Sequence, residues 1–126
     1  MARPLAAGLV IGAIAFGAIA LSARGPGSGP REIRLVARDM NFYIEGQADP
    51  NPTIRLRAGE TVRVVLRNED EGMRHDFAVP DWHAATPRID SGAETSVTFR
   101  VPGQAGAQRY PCRPHDAIMR GTIVVE

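Results

Sequence analysis

Cys112, His115 and Met119 fall within eight residues of each other in the stretch YPCRPHDAIMRG, which begins at Tyr110. Thiolate, imidazole and thioether are among the softest metal-ligating groups a protein offers. Cys112 is the only cysteine of the chain, and His115 is one of three histidines. Packing a small domain does not call for these three types together, so the cluster reads as most of a metal site. A lone cysteine excludes an internal disulfide framework; if it is not packing material, it reacts or binds metal.

A soft site for copper takes a thiolate and two imidazoles in a plane, with a weak thioether along the axis. The second imidazole has two sources. His75 opens the apolar run HDFAV, where a side chain can point into the end of a sheet sandwich; His83 follows Trp82 in a loop. With His75 the pattern becomes one distant histidine, then C-x2-H-x3-M on a loop leading into GTIVVE. Loop ligands on a rigid sheet suit electron transfer, because the geometry need not change between oxidation states.

Such a site needs strands to hold it, and the chain after Gly25 supplies them. In TIRLRAGETVRVVLRN, Ile54 and Leu56, then Val62, Val64 and Leu66, fall on one face, while Arg55, Arg57, Arg63 and Arg67 fall largely on the other. That period of two marks half-buried strands, with Ala58-Gly59-Glu60 as the turn between them. REIRLVAR alternates likewise, and HDFAV, TSVTFRV and GTIVVE are further runs between segments rich in Gly, Pro, Asp and Asn. No sustained helical period appears after Gly25. The expectation is an all-β domain, an antiparallel Greek-key sandwich or barrel, over residues 32–126. That length buries one modest core.

Ahead of it, PLAAGLVIGAIAFGAIALSA runs for twenty residues without a charge between Arg3 and Arg24. This is about the length of a membrane-spanning helix and exceeds the ~7–15 residues of a signal h-region. Residues 1–24 therefore read as one hydrophobic helix, either an anchor through residues 4–23 or a signal peptide with Ala18 and Ala20 as its cleavage pair. Residues 25–31, GPGSGPR, form a flexible linker. Both readings put the domain outside the cytoplasm, in the periplasm or on the outer face of the membrane.

The residues resemble the cupredoxins, and among them the plastocyanin and amicyanin group of small blue copper proteins. NPTIRLRAGETVRVVLRNED is similar to the second and third strands of that family, RHDF to its upstream histidine segment, and YPCRPHDAIMRGTIVVE to its copper loop and closing strand. Tyr110, Cys112, Pro114, His115, Met119 and Gly121 all stand at the family's positions. The resemblance implies one type 1 copper ion held by His75, Cys112, His115 and Met119, and electron exchange with redox proteins through His115. This chain departs from the pattern in two places. Three residues separate His115 from Met119, between the shorter amicyanin and the longer plastocyanin loop. Arg74 and Asp76 flank His75 where the family often has Pro and Asn; that Asn ties the two ligand loops together.

Other functions fit less well. A cysteine-nucleophile enzyme places its base on a separate element and has no use for Met119. A multicopper oxidase or nitrite reductase needs more histidines than His83, and a binuclear copper centre needs two cysteines. The chain therefore reads as no enzyme, with a copper carrier or scavenger as the rival to electron transfer. Met40 and Met73 read as packing, His83 as surface, Trp82 as a loop anchor and Glu69-Asp70-Glu71 as a solvated turn. Fifteen positive residues, all Arg, balance fourteen acidic ones, so nucleic acid is not an expected partner. Arg74, Arg109, Arg113 and Arg120 nevertheless crowd the ligand segments. Either Asp76 and Asp116 neutralise them, or they steer a redox partner with an acidic docking patch.

Overall fold

The computed structural model describes residues 29–126; the helix expected within residues 1–24 lies outside the described residues. The alternating segments form nine strands: β1 (Arg31–Arg38), β2 (Asn41–Ile44), β3 (Ile54–Leu56), β4 (Thr61–Asn68), β5 (Ala78–Val79), β6 (Ala84–Ala85), β7 (Glu94–Arg100), β8 (Gly106–Pro111) and β9 (Arg120–Val125). Only two single turns of 3₁₀ helix, Pro80–Trp82 and Arg113–His115, join them among the described residues.

The strands make a sandwich and not a closed barrel. One sheet has the order β2-β1-β4-β7, the other β3-β9-β8, and β5 pairs with β6 apart from both. Their inner faces share one core. Ile33, Leu35, Phe42, Val62, Val64 and Leu66 come from the larger sheet, and Ile54, Leu56, Tyr110, Ile123 and Val125 from the smaller.

Two pairings differ from the antiparallel expectation: β1 with β4, and β3 with β9, run parallel. Parallel neighbours need a crossover connection, and Ala58-Gly59-Glu60 supplies one by carrying the chain from the smaller sheet to the larger instead of closing a hairpin. Gly59 takes φ +77° there, and the amides of Ala58 and Gly59 donate to the carbonyls of Glu126 and Val101. The alternation in β3 and β4 is the expected one, but the two strands face the core from opposite sides.

The register of β8 on β9 sets the entry to the ligand loop. Tyr110 pairs with Gly121, and a Cβ at Gly121 would lie 2.2 Å from Tyr110 Cζ. Only glycine lets the ring lie flat over this backbone. The buried Tyr110 hydroxyl donates to the Pro52 carbonyl, and burial pushes its pKa up. The loop thus leaves the sheet from a fixed point two residues before Cys112.

On the outer face of the larger sheet, arginines and glutamates interlock. Arg34 pairs with Glu32, Glu45 and Glu94, Arg63 with Glu32, and Arg67 with Glu45 and Glu69. Each exposed pair is worth about 0–1 kcal/mol, but shared partners join four strands or strand ends into one network.

Candidate metal centre

Two loops at one end of the sandwich carry the soft side chains. The first, residues 69–77, hangs from Asn68, whose buried amide donates to the carbonyls of Met73 (2.7 Å) and Ile89 (3.1 Å). His75 bridges Ile89 by a reciprocal pair of backbone hydrogen bonds, which points its fully buried side chain into the end of the core. The second loop closes on itself. Cys112 donates its amide to the Met119 carbonyl (2.9 Å), and the amides of Ile118 and Met119 both reach the His115 carbonyl. Pro114, in the first turn of a 3₁₀ segment where its missing N–H costs nothing, holds the bend.

These loops bring the donors together. His75 Nδ1 lies 3.5 Å from Cys112 Sγ, and His115 Nδ1 lies 3.4 Å from the same sulfur. The three atoms all fall within 4.8 Å of one another. Bonds of about 2.0 Å to nitrogen and 2.3 Å to sulfur, the lengths zinc takes to these donors, reach across such separations to one shared ion. Met119 is fully buried beside them, as is Cys112. One soft thiolate, two imidazole nitrogens and a thioether, three of the four fully buried, fit copper.

Electrostatics agree with a metal-binding role. Burial pushes the Cys112 thiol up, against the pull of backbone hydrogen bonds from Asp76 and His115. A bound cation therefore has to supply the charge that keeps it a thiolate. Burial, then the neighbouring His75, hold the His115 imidazole below its usual value, so it is neutral and able to ligate near pH 7.

The residues that brace the donors are acidic. Asp76, also fully buried, ties the two loops together: its carboxylate accepts from the backbone N–H and Nε of Arg113, both at 2.8 Å. The tie that an asparagine makes in the resembling family is thus made here by an aspartate with an arginine partner. Asp70 accepts from His75 Nε2 at 2.7 Å, so the Glu69-Asp70-Glu71 stretch is more than the solvated turn expected of it. Burial raises the Asp70 pKa, but the Met40 amide, His75 and the Asp39 amide outweigh it and hold it below the usual range. His83 stays away from the cluster. It is exposed at the end of the 3₁₀ turn Pro80–Trp82, in a left-handed conformation.

The arginines around the loops are paired. Arg74 meets Asp90, Arg109 and Arg120 meet Asp116, and Arg88 joins Arg113 on Asp76. His115 is only half-buried, and beside it Ile118, 62% exposed, is the exposed large hydrophobic among the described residues.

A β-sandwich whose end encloses two imidazoles, a thiolate and a methionine defines the class of small blue copper proteins, the cupredoxins. The family of copper-binding proteins typified by plastocyanin and azurin matches residues 49–126, and the chain belongs to it. Solved structures agree in fold. Auracyanin A, a blue copper protein from the photosynthetic bacterium Chloroflexus aurantiacus, is 19% identical with a TM-score of 0.61, covering 78% of this chain and 100% of that one. The reduced auracyanin of Roseiflexus castenholzii is 18% identical with a TM-score of 0.61, covering 78% and 99%. Rusticyanin from Thiobacillus ferrooxidans is 23% identical with a TM-score of 0.55, covering 78% and 79%. No curated protein matches the chain by sequence.

Proposed function

We propose that the protein is a one-electron carrier in which His75, Cys112, His115 and Met119 hold a single type 1 copper ion. Copper bound there supplies a couple between the cuprous and cupric states. The observation that carries this reading is the burial of Cys112, His75 and Met119 together, with His115 alone reaching towards solvent. The three buried donors keep water and chelators out, and the self-closed loop holds them in one geometry for both oxidation states. His115 gives electrons a short way in and out, next to the exposed Ile118. A copper carrier needs exchangeable donors on its surface, and three of these four are fully buried.

The redox partner presents acidic groups around its own exit point. Arg74, Arg88, Arg109, Arg113 and Arg120 share three carboxylates, Asp76, Asp90 and Asp116, which leaves two positive charges over. Arg113 is engaged with Asp76, so Arg120, half-exposed beside the loop, is the better probe of steering. Residues 1–24 act as an anchor or cleaved signal, the residues between them and β1 as a linker, and the copper domain works outside the cytoplasm.

The test is direct. The segment from Gly25 onward, given cupric ion, shows an intense visible charge-transfer band that Cys112→Ser and His75→Ala remove and His83→Ala leaves intact. A colourless wild type, or one whose copper passes to a chelator within seconds, rejects electron transfer. With an acidic redox partner, Arg120→Glu slows the reaction most at low salt; a wild-type rate independent of salt rejects steering.

A further inference from the structure

Asp70 does something the copper donors cannot do for themselves. Its carboxylate, with the side chain 11% exposed, gathers three N–H groups from two parts of the chain. His75 Nε2 lies 2.7 Å from Oδ2. The amides of Asp39 and Met40 donate to Oδ1 and Oδ2. Asp39 and Met40 are the two central residues of the β1–β2 hairpin, and both have positive φ, at 50° and 58°. That is the backbone of a two-residue turn that favours Asn-Gly, and neither position holds glycine. Asn68 Oδ1 accepts the Asp70 amide at 2.9 Å, which fixes the carboxylate from behind.

An ionised carboxylate can only accept, so when the His75 ring is neutral, as a metal ligand is, the contact makes Nε2 its protonated nitrogen. Nδ1, the atom that faces Cys112 Sγ, then keeps its lone pair. A carboxylate on the far nitrogen also makes an imidazole a stronger donor than a neutral acceptor does. A stronger donor and a nearby negative charge both favour the cupric state. We infer that Asp70 is a positioning residue for the copper site: it selects the Nδ1-ligating form of His75 and lowers the reduction potential through that ring. The inference rests on the electron-transfer reading for its redox part and on geometry alone for its tautomer part.

The experiment separates these effects from simple support of the hairpin. The turn is first made independent of Asp70 by Asp39→Asn with Met40→Gly, and Asp70→Asn and Asp70→Ala are placed in that background and in the wild type. Ring nitrogen shifts of His75 are read in metal-free protein, and the potential in copper-loaded protein. Asp70→Asn removes the charge but keeps an acceptor. It should weaken cupric binding about 10-fold or more, and a tenfold loss confined to that state raises the potential by about 59 mV. Asp70→Ala should do the same and also lose the uniform Nε2–H form of His75. If the Asn-Gly turn restores the potential and the tautomer to wild type in both variants, Asp70 only supports the hairpin and the inference is wrong. A wild type without a one-electron wave overturns electron transfer instead, while the metal-free tautomer of Asp70→Ala still decides whether Asp70 orients His75.

Discussion

Removing the Arg113 guanidinium should loosen the two ligand loops from each other, by an amount that depends on Asp76. In the native protein the fully buried Asp76 carboxylate accepts from both the backbone and Nε of Arg113, with Arg88 3.9 Å away. Arg113→Met deletes the 3.2 Å bond from Nη2 to the Thr86 carbonyl, which a cycle with Asp76 leaves out of the coupling. It also deletes the charge-assisted hydrogen bond to Asp76, a loss of about 1.5–3 kcal/mol between charged groups. The Arg113 side chain is 48% exposed, so solvent screening brings this to about 1–2 kcal/mol. For a domain of this size, a loss of 1.5 kcal/mol lowers Tm by about 6–12 °C. The assay is urea unfolding of metal-free protein, where copper binding adds nothing to the native state. Asp76→Asn keeps the size and one acceptor but removes the buried charge, so Arg113→Met should cost much less in that background. A double-mutant cycle should return a coupling of about 1 kcal/mol. A coupling within about 0.3 kcal/mol of zero, the scatter of independent sites, would refute the tie.

Two further perturbations test the frame around the site. Gly121→Ala should destabilise the metal-free protein by more than the ~1–3 kcal/mol of ordinary overpacking, because the new methyl meets the Tyr110 ring at 2.2 Å; an unchanged urea midpoint would contradict the packing. Glu32 tests the outer network. Hydrogen bonding to Arg34, and secondarily to Arg63, outweighs desolvation and holds its pKa below the ordinary 4.5. Its contribution is therefore present above pH 4.5 and lost as pH falls through the lower folded value. Thermal midpoints of wild type and Glu32→Gln should differ at neutral pH and converge in acid, and curves that stay parallel throughout would count against the network.

The donors that share a loop were legible because their spacing is itself the signal: Cys112, His115 and Met119 lie on one continuous turn. His75 was narrower, since the residues alone left His83 open and only the family resemblance chose between them. Alternation showed which face of β1, β3 and β4 points inward, yet it carries no information about neighbours, so the parallel pairs were invisible. β2 and β8 escaped notice because NFYI and GAQRYP are short and lack a clean period of two. Asp70 and Asp76 look alike in sequence, two acids near a histidine. Asp76 acts on a residue 37 positions away, and Asp70, though it meets His75 nearby, is held in place by an amide 31 positions away, which no local pattern encodes.

Those two acids bear unequally on the copper couple, which changes the weight given to the arginines. A positive rim taken alone would raise the potential by disfavouring the cupric charge. Arg113 and Arg88, however, sit on Asp76, so one of their two positive charges is cancelled before it reaches the metal. Asp70 has no arginine among its hydrogen-bond partners; it faces two neutral amides and His75, and its charge acts through a ligand ring. Removing charge at 70 should therefore raise the potential more than removing it at 76, where the lost carboxylate uncovers a guanidinium but touches no donor nitrogen. Voltammetry of Asp70→Asn beside Asp76→Asn decides it. An equal or larger shift at 76 would mean that through-space charge outweighs the imidazole path.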